Sequence, residues 1–309
     1  MRVLYWGTPE FATAPLRALI GEGFDVVGVV TQPDRPQGRS RSALVPSPVK
    51  AVAQEEDIDV LQPERPHGDE FLAAIRALEP ALSVVVAYGH ILRREVIDLP
   101  PRGTINVHAS LLPALRGAAP IQAAIRDGHT ETGITIMRMV EALDAGPIIH
   151  QNAVPILPDE TYGELQLRLS EVGAQSIVEA LAMIEGGAAV ERSQDDAAAT
   201  YARKVTRDAA RIDWSKSADE ISRTIRAYDP KPGAWTTLRG GETRLFGART
   251  VSGRSGKPGE VLEVAKTGAL IGAGTHAVLV VVAQPAGQRR LAPHESLSGR
   301  QLPVGDVIE

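Results

Sequence analysis

Cysteine is absent from all 309 residues. That excludes disulfide scaffolds, thiolate zinc sites, iron–sulfur clusters and thiol nucleophiles together. No run approaches the roughly 18–20 consecutive apolar residues of a membrane span. No signal or transit segment stands ahead of the first strand-like run, Val3–Trp6, as expected of a bacterial cytoplasmic protein. The three-glycine dinucleotide fingerprint is missing too. The first strand–helix turn, Gly7-Thr8-Pro9-Glu10-Phe11, has one glycine, and Pro9 removes an amide that could hold pyrophosphate. NAD is therefore not expected, although a mononucleotide on the helix N-terminus stays open. There is no overall positive charge to coat a nucleic acid, since the formal net charge is -5. Internal repeats and low-complexity tracts are absent as well.

What remains is ordinary globular material, 43% hydrophobic and 23% charged. At roughly 100–200 residues per domain, the length predicts two domains. Charge divides unevenly: residues 208–309 carry 14 Lys+Arg against 11 Asp+Glu, and residues 1–207 carry 19 against 27. Any nucleic-acid contact must then use local basic patches.

Strand and helix signals alternate through the first half. Val3–Trp6, Val26–Val30, Leu82–Ala87, Thr104–His108 and Gly133–Met139 read as buried strands. Pro48–Glu55, Asp69–Leu78 and Pro120–Arg126 read as helices. Thr8-Pro9-Glu10 reads as N-cap, first-turn proline and first-turn acid of another helix. Val-rich runs between helices imply a mostly parallel, doubly wound α/β sheet of Rossmann-like type. Thr161–Gly186 is a long amphipathic helix. Ala188–Thr206 reads as a linker. Ala218–Tyr228 is helical, and Trp235–Leu238 with Thr243–Phe246 flanks a hairpin turn at Arg239-Gly240-Gly241-Glu242. Further short strands between glycines, Gly259–Val264, Ala269–Gly272 and Ala277–Gln284, predict an OB-like β-barrel at the C-terminus. The expected division is 1–187, a linker 188–207, and 208–309.

The informative segment is Ile105-Asn106-Val107-His108-Ala109-Ser110-Leu111-Leu112-Pro113. Alternation puts Asn106 and His108 on one face at the end of a strand, where open α/β sheets place ligands. An amide donor beside an imidazole can grip a developing oxyanion. Alone, an N-x-H pattern also fits a satisfied edge histidine. Asp144, in Leu143-Asp144-Ala145-Gly146, adds a carboxylate that would orient the imidazole and fix its tautomer. Its plainer reading is an Asx-turn residue.

These segments, with Arg116-Gly117-Ala118-Ala119-Pro120, resemble the 10-formyltetrahydrofolate-dependent formyltransferases. Gly7-Thr8-Pro9, Thr31-Gln32-Pro33-Asp34-Arg35-Pro36, Pro46-Ser47-Pro48-Val49-Lys50, Val85-Val86-Ala87-Tyr88-Gly89, Ala210-Arg211-Ile212-Asp213-Trp214 and Gln284-Pro285-Ala286-Gly287 match that family as well. The resemblance spans nearly the whole chain and is strongest to members acting on initiator Met-tRNA. It implies a Rossmann-like catalytic domain, a C-terminal OB-like tRNA-binding domain, 10-formyltetrahydrofolate as co-substrate, no metal, and no obligate protein partner. It places Asn106, His108 and Asp144 on catalytic positions. Ser110, Leu111, Leu112 and Pro113 fall on the folate-binding stretch, and Tyr88, Gly89 and Ile91 on the wall of the pteridine pocket. Two positions before Arg116, Ala114 and Leu115, depart from the family's common arginine and tryptophan. Val140-Glu141-Ala142 and Ala145 also depart from the usual Asp144 loop.

Between Thr31 and Pro48 runs a basic Pro/Gly-rich loop, which by itself reads as a solvated segment. The resemblance makes it the insertion of the tRNA-specific members, with Arg39 and Arg41 as phosphate or base contacts, and it puts Lys204 near the RNA 3′ end. Two readings keep the folate chemistry but change the acceptor: an amino-sugar nucleotide, or water in a hydrolase. A catalytically silent RNA-binding adaptor is a third, and the retained Asn106, His108 and Asp144 count against it.

Overall fold

A computed structural model describes residues 1–37, 43–296 and 304–309. The chain forms two compact units. The first comprises residues 1–117, 132–154 and 166–201; the second comprises 118–131, 155–165 and 202–309.

The first unit is built on a seven-stranded sheet. Its spatial order is Ile148–Pro155, Glu131–Arg138, Thr104–His108, Leu82–Val86, Arg2–Gly7, Asp25–Val30 and Val60–Leu61. Pairing is parallel from Thr104–His108 through Val60–Leu61. The strands Arg2–Gly7 and Leu82–Val86 are buried almost throughout, the pattern of a sheet covered on both faces. Trp6 anchors the core on one side, with edge-on contacts to Phe71 and Tyr88 at centroid distances of 5.9 and 5.3 Å. Such aromatic pairs contribute about 0.5–1.5 kcal/mol each beyond burial. The Rossmann-like, mostly parallel expectation therefore holds. Glu131–Arg138 runs antiparallel to Thr104–His108, and the strand Ile148–Pro155 is absent from the sequence reading. Only Ile148 and Ile149 are buried and the polar His150-Gln151-Asn152 follow them, so no continuous apolar run marks it.

The helix after Gly7 begins later than its sequence signal. A 3-10 turn, Glu10–Ala12, comes first, and the α-helix spans Thr13–Gly21. A Cβ on Gly7 would meet the Ala12 Cβ at 2.8 Å, so the chain turns too tightly there for Thr8 to cap an α-helix. Thr8 Oγ1 instead donates to the Tyr88 carbonyl at 3.0 Å.

The second unit holds a five-stranded antiparallel sheet ordered Ala234–Leu238, Gly241–Val251, Ala277–Pro285, Gly268–Gly272 and Val261–Ala265. Among the described residues no pairing joins its first strand to its last. The hairpin turns at Arg239 and Gly240, both at positive φ (49° and 78°), as a two-residue turn matching strand twist requires. The helix Ala218–Ala227 starts in a reciprocal capping box between Ser217 and Glu220. It lies against Gly241–Val251 and against the helix Pro120–Arg126, with Ser222 Oγ donating to the Ala248 carbonyl at 3.1 Å.

Candidate active site

The strand Thr104–His108 buries Ile105 and Val107 and turns Asn106 and His108 the other way, as period-two alternation dictates. His108 is almost wholly buried. Its Nδ1 faces Asp144 Oδ2 at 3.8 Å, an ion-pair distance rather than a hydrogen bond. Its Nε2 lies 3.0 Å from the Leu115 carbonyl oxygen. A carbonyl only accepts, so Nε2 carries a hydrogen and Nδ1 is the ring nitrogen that faces the carboxylate. Asp144 Oδ2 also accepts from the Gly117 amide at 2.7 Å. The imidazole is thus held between a backbone oxygen and a carboxylate, both fixed by residues 115–117. Asn106, half-buried, precedes His108 by two residues on the same strand face.

The departures from the family pattern fall on this geometry. Leu115 stands in the left-handed region (φ 61°), a conformation uncommon for such a side chain. The Thr200 hydroxyl accepts from its amide at 2.8 Å. Asp144 is also left-handed (φ 51°), which aspartate tolerates better than most residues.

Ser110–Pro113 continue directly from this strand. Ser110 Oγ donates to the Ala114 carbonyl at 2.6 Å, Leu112 is buried among Met137 and Ile148, and the Leu112–Pro113 peptide is cis. Thr135 ties this turn together: its Oγ1 donates to the Ser110 carbonyl at 2.6 Å and accepts from Leu112 N at 3.1 Å and Gln151 Nε2 at 2.9 Å. Thr135 stands directly opposite His108 in the antiparallel register. Sequence reasoning missed it, and only that cross-strand pairing would have found it. The Leu115 carbonyl, a backbone group, has no sequence signal at all.

Tyr88, Gly89 and Ile91 follow the neighbouring strand, Leu82–Val86, which runs parallel to Thr104–His108, so both segments leave the same sheet edge. The Tyr88 carbonyl accepts from Thr8 Oγ1 and Gln32 Nε2, each at 3.0 Å. Gly89 sits at φ 91°, and a Cβ there would fall 2.4 Å from Gln32 Nε2; only glycine fits. The Tyr88 hydroxyl is buried without a partner, and burial pushes its phenol up to about 12. Ile91 is exposed.

Arg39 and Arg41 lie outside the described residues. On either side of them Arg35–Gln37 pairs antiparallel with Ala43–Val45. The base of that hairpin is stapled by Lys50 Nζ, 2.6 Å from Asp34 Oδ2, and by Gln62, which donates to Asp34 Oδ1 at 2.8 Å. The Lys50 and Gln62 hydrogen bonds hold the Asp34 carboxyl below the usual range. Lys204 is exposed on the second unit. Among the described residues no three His, Asp or Glu side chains form a metal-ligand group, and no helix is long and apolar enough to cross a membrane.

A family model described as formyl transferase matches residues 1–181, and one described as the formyl transferase C-terminal domain matches 204–301. Curated relatives named methionyl-tRNA formyltransferase include one from Aromatoleum aromaticum, 47% identical over 100% of this chain and 97% of its own length. Another, from Geobacter sulfurreducens, is 44% identical over 99% of this chain and 96% of its own. Among solved structures, HypX from Aquifex aeolicus in complex with tetrahydrofolic acid is similar over 98% of this chain and 48% of that one, with a TM-score of 0.68 at 21% identity. A methionyl-tRNA formyltransferase from Clostridium thermocellum covers 82% of this chain and 95% of its own, with a TM-score of 0.57 at 14% identity. With its histidine–carboxylate pair at the carboxyl edge of a mostly parallel sheet and both family models matched along its length, the chain belongs to the formyl transferase family.

Proposed function

We propose that this chain transfers the formyl group of 10-formyltetrahydrofolate to the α-amino group of methionine on initiator Met-tRNA. The observation that carries the reading is His108, buried between the Leu115 carbonyl and Asp144 and two residues beyond Asn106 on one strand face. A translation enzyme of this kind works in the cytoplasm.

In the reaction, the neutral amine attacks the formyl carbon and a carbon–nitrogen bond forms to the methionine nitrogen. Negative charge builds on the formyl oxygen. Asn106 donates to it through its side-chain amide, and His108 supplies the second donor and the proton. In its imidazolium form His108 passes that proton, directly or through water, to N10 as the carbon–N10 bond breaks, and the neutral ring then takes up the proton that the attacking nitrogen loses. Asp144, 3.8 Å from Nδ1, pairs with the imidazolium and keeps the ring aimed. Loss of one oxyanion donor in such sites costs about 2.7–4 kcal/mol of barrier.

The residues present suit the co-substrate. Tyr88, Gly89 and Ile91 offer backbone groups and an apolar wall for the pteridine, and Ser110–Pro113 supply the adjoining turn. Arg39, Arg41 and Lys204 take the tRNA, through its phosphates more than its base edges. Residues 1–187 form the catalytic part, 188–207 a linker, and 208–309 an OB-like tRNA-binding part built on the five-stranded antiparallel sheet.

Purified protein with 10-formyltetrahydrofolate and Met-charged initiator tRNA should yield formylmethionyl-tRNA. Uncharged tRNA, elongator Met-tRNA and an amino-sugar nucleotide should not be formylated. Turnover on the sugar nucleotide, or release of formate without an acceptor, would replace this reading with one of its folate-using rivals.

A further inference from the structure

Gln194, fifty residues beyond Asp144 in the segment after the long helix Tyr162–Glu185, has every polar atom of its amide engaged. Its Oε1 accepts from Arg116 Nε at 3.1 Å and Nη2 at 2.8 Å. Its Nε2 donates to the Asp144 carbonyl at 2.9 Å and to the Gly146 carbonyl at 2.7 Å. A guanidinium only donates, so the amide orientation is fixed: oxygen toward Arg116, nitrogen toward the two carbonyls. Arg116 is itself buried, its side chain 4% exposed, and Nη2 also reaches Asp196 Oδ1 at 2.8 Å.

The geometry points to Gln194, clamped by Arg116, as a positioning residue that holds Asp144 in its left-handed conformation and so keeps the carboxylate opposite His108. A non-glycine residue at positive φ persists where its surroundings over-determine it. Here they do. Gly117 N fixes the Asp144 side chain at 2.7 Å, and Gln194 fixes its carbonyl and the carbonyl two residues on. Gly146 admits no side chain, since a Cβ would fall 1.8 Å from the Arg138 carbonyl oxygen, so that turn stays pressed on its own strand. Three consecutive residues then serve one purpose. Leu115 holds His108, Arg116 holds Gln194 and Gly117 holds Asp144. The inference rests on Asp144 as the carboxylate of the proposed reaction.

Steady-state kinetics on the full chain test it. Gln194→Ala should lower kcat about tenfold while KM for 10-formyltetrahydrofolate moves less than about twofold, as for a residue acting on the chemical step. Gln194→Glu keeps the side-chain length and an oxygen for Arg116 but removes both amide donors, so it should lower kcat as much, and it serves where the alanine variant folds poorly. In an Asp144→Asn background, whose own kcat is reduced, either substitution should cost less than about twofold, because coupled residues are not additive. Wild-type kcat in Gln194→Glu would leave Gln194 as a mere tie between Arg116 and its own segment. Equal losses with and without Asp144 would show that it does not act through that carboxylate. Full activity of Asp144→Asn alone would remove the carboxylate from the mechanism and this inference with it.

Discussion

In the parallel-sheet unit, His108 and Asp144 face each other with side chains only 7% and 13% exposed. Charge in the antiparallel unit stands in water. Arg207–Glu242, Arg239–Asp306 and Arg254–Glu263 are ion pairs with at least one partner 40% or more exposed. The two placements do different work. Exposed pairs contribute about 0–1 kcal/mol each, and it is the surplus of 14 Lys+Arg over 11 Asp+Glu across residues 208–309 that favours a polyanion. A buried pair carries a desolvation cost, and that cost is tolerated where charge must be aimed at a reacting atom. The first unit combines one buried pair with exposed ones such as Arg17–Glu55 and Arg94–Asp98, and the second keeps its pairs mainly at the surface.

Four variants would break or sharpen that contrast. The largest effect belongs to His108→Ala, which should lower kcat by about 10²–10⁴-fold with an unchanged circular dichroism spectrum and melting curve. Near-normal turnover in the folded variant would strip the buried pair of its role. Next comes Asn106→Ala, with an expected loss of about 10²–10³-fold in kcat and little change in tRNA affinity measured by filter binding. A loss confined to binding would move Asn106 from the chemistry to the substrate.

Arg39→Ala combined with Arg41→Ala should raise KM for Met-tRNA by about tenfold and leave folate KM alone. The slope of log affinity against log salt should flatten by about 1–2, as two lost phosphate contacts require. An unchanged slope would remove both arginines from the RNA surface.

The smallest effect concerns Asp229, a carboxylate of the second unit whose side chain is only 14% exposed. Burial pushes its carboxyl up, against the Gly247 amide bond and the Arg290 guanidinium, which pull it down. Its folded pKa therefore lies above the unfolded one. The stability it contributes is present below the ordinary carboxylate range and is lost as pH rises through the folded value. Asp229→Asn, which keeps an acceptor for Gly247 N (3.0 Å in the native chain), should raise the melting temperature by about 1–3 °C at pH 7. That gain should fade on acidification. A destabilised variant at neutral pH would mean that the Arg290 attraction outweighs burial.

Much of this was legible in the chain itself. The helices Pro48–Glu55 and Pro120–Arg126 and the strand Thr104–His108 coincide with their sequence boundaries, because proline at the first helical turn and unbroken apolar runs are local signals. Alternation put Asn106 and His108 on one strand face, but only the family resemblance, not the residues alone, singled them out with Asp144 as a site. Ile148–Pro155 was hidden, since polar residues follow its two buried isoleucines, and so was the late helix start at Thr13, which depends on how closely Gly7 packs on Ala12.

The sequence alone determined which chemistry is available: an amide, an imidazole and a carboxylate, with no thiol to compete and apolar strands to carry them. Only the tertiary structure decided how these groups are aimed. A carbonyl from Leu115 meets the imidazole, and an amide from Gly117 and the side chain of Gln194 meet Asp144 from 27 and 50 residues away. Backbone groups are the same at every position, and side chains fifty residues apart become neighbours only when packing brings them together. Composition and spacing therefore supply the polar groups, and the folded backbone supplies their direction.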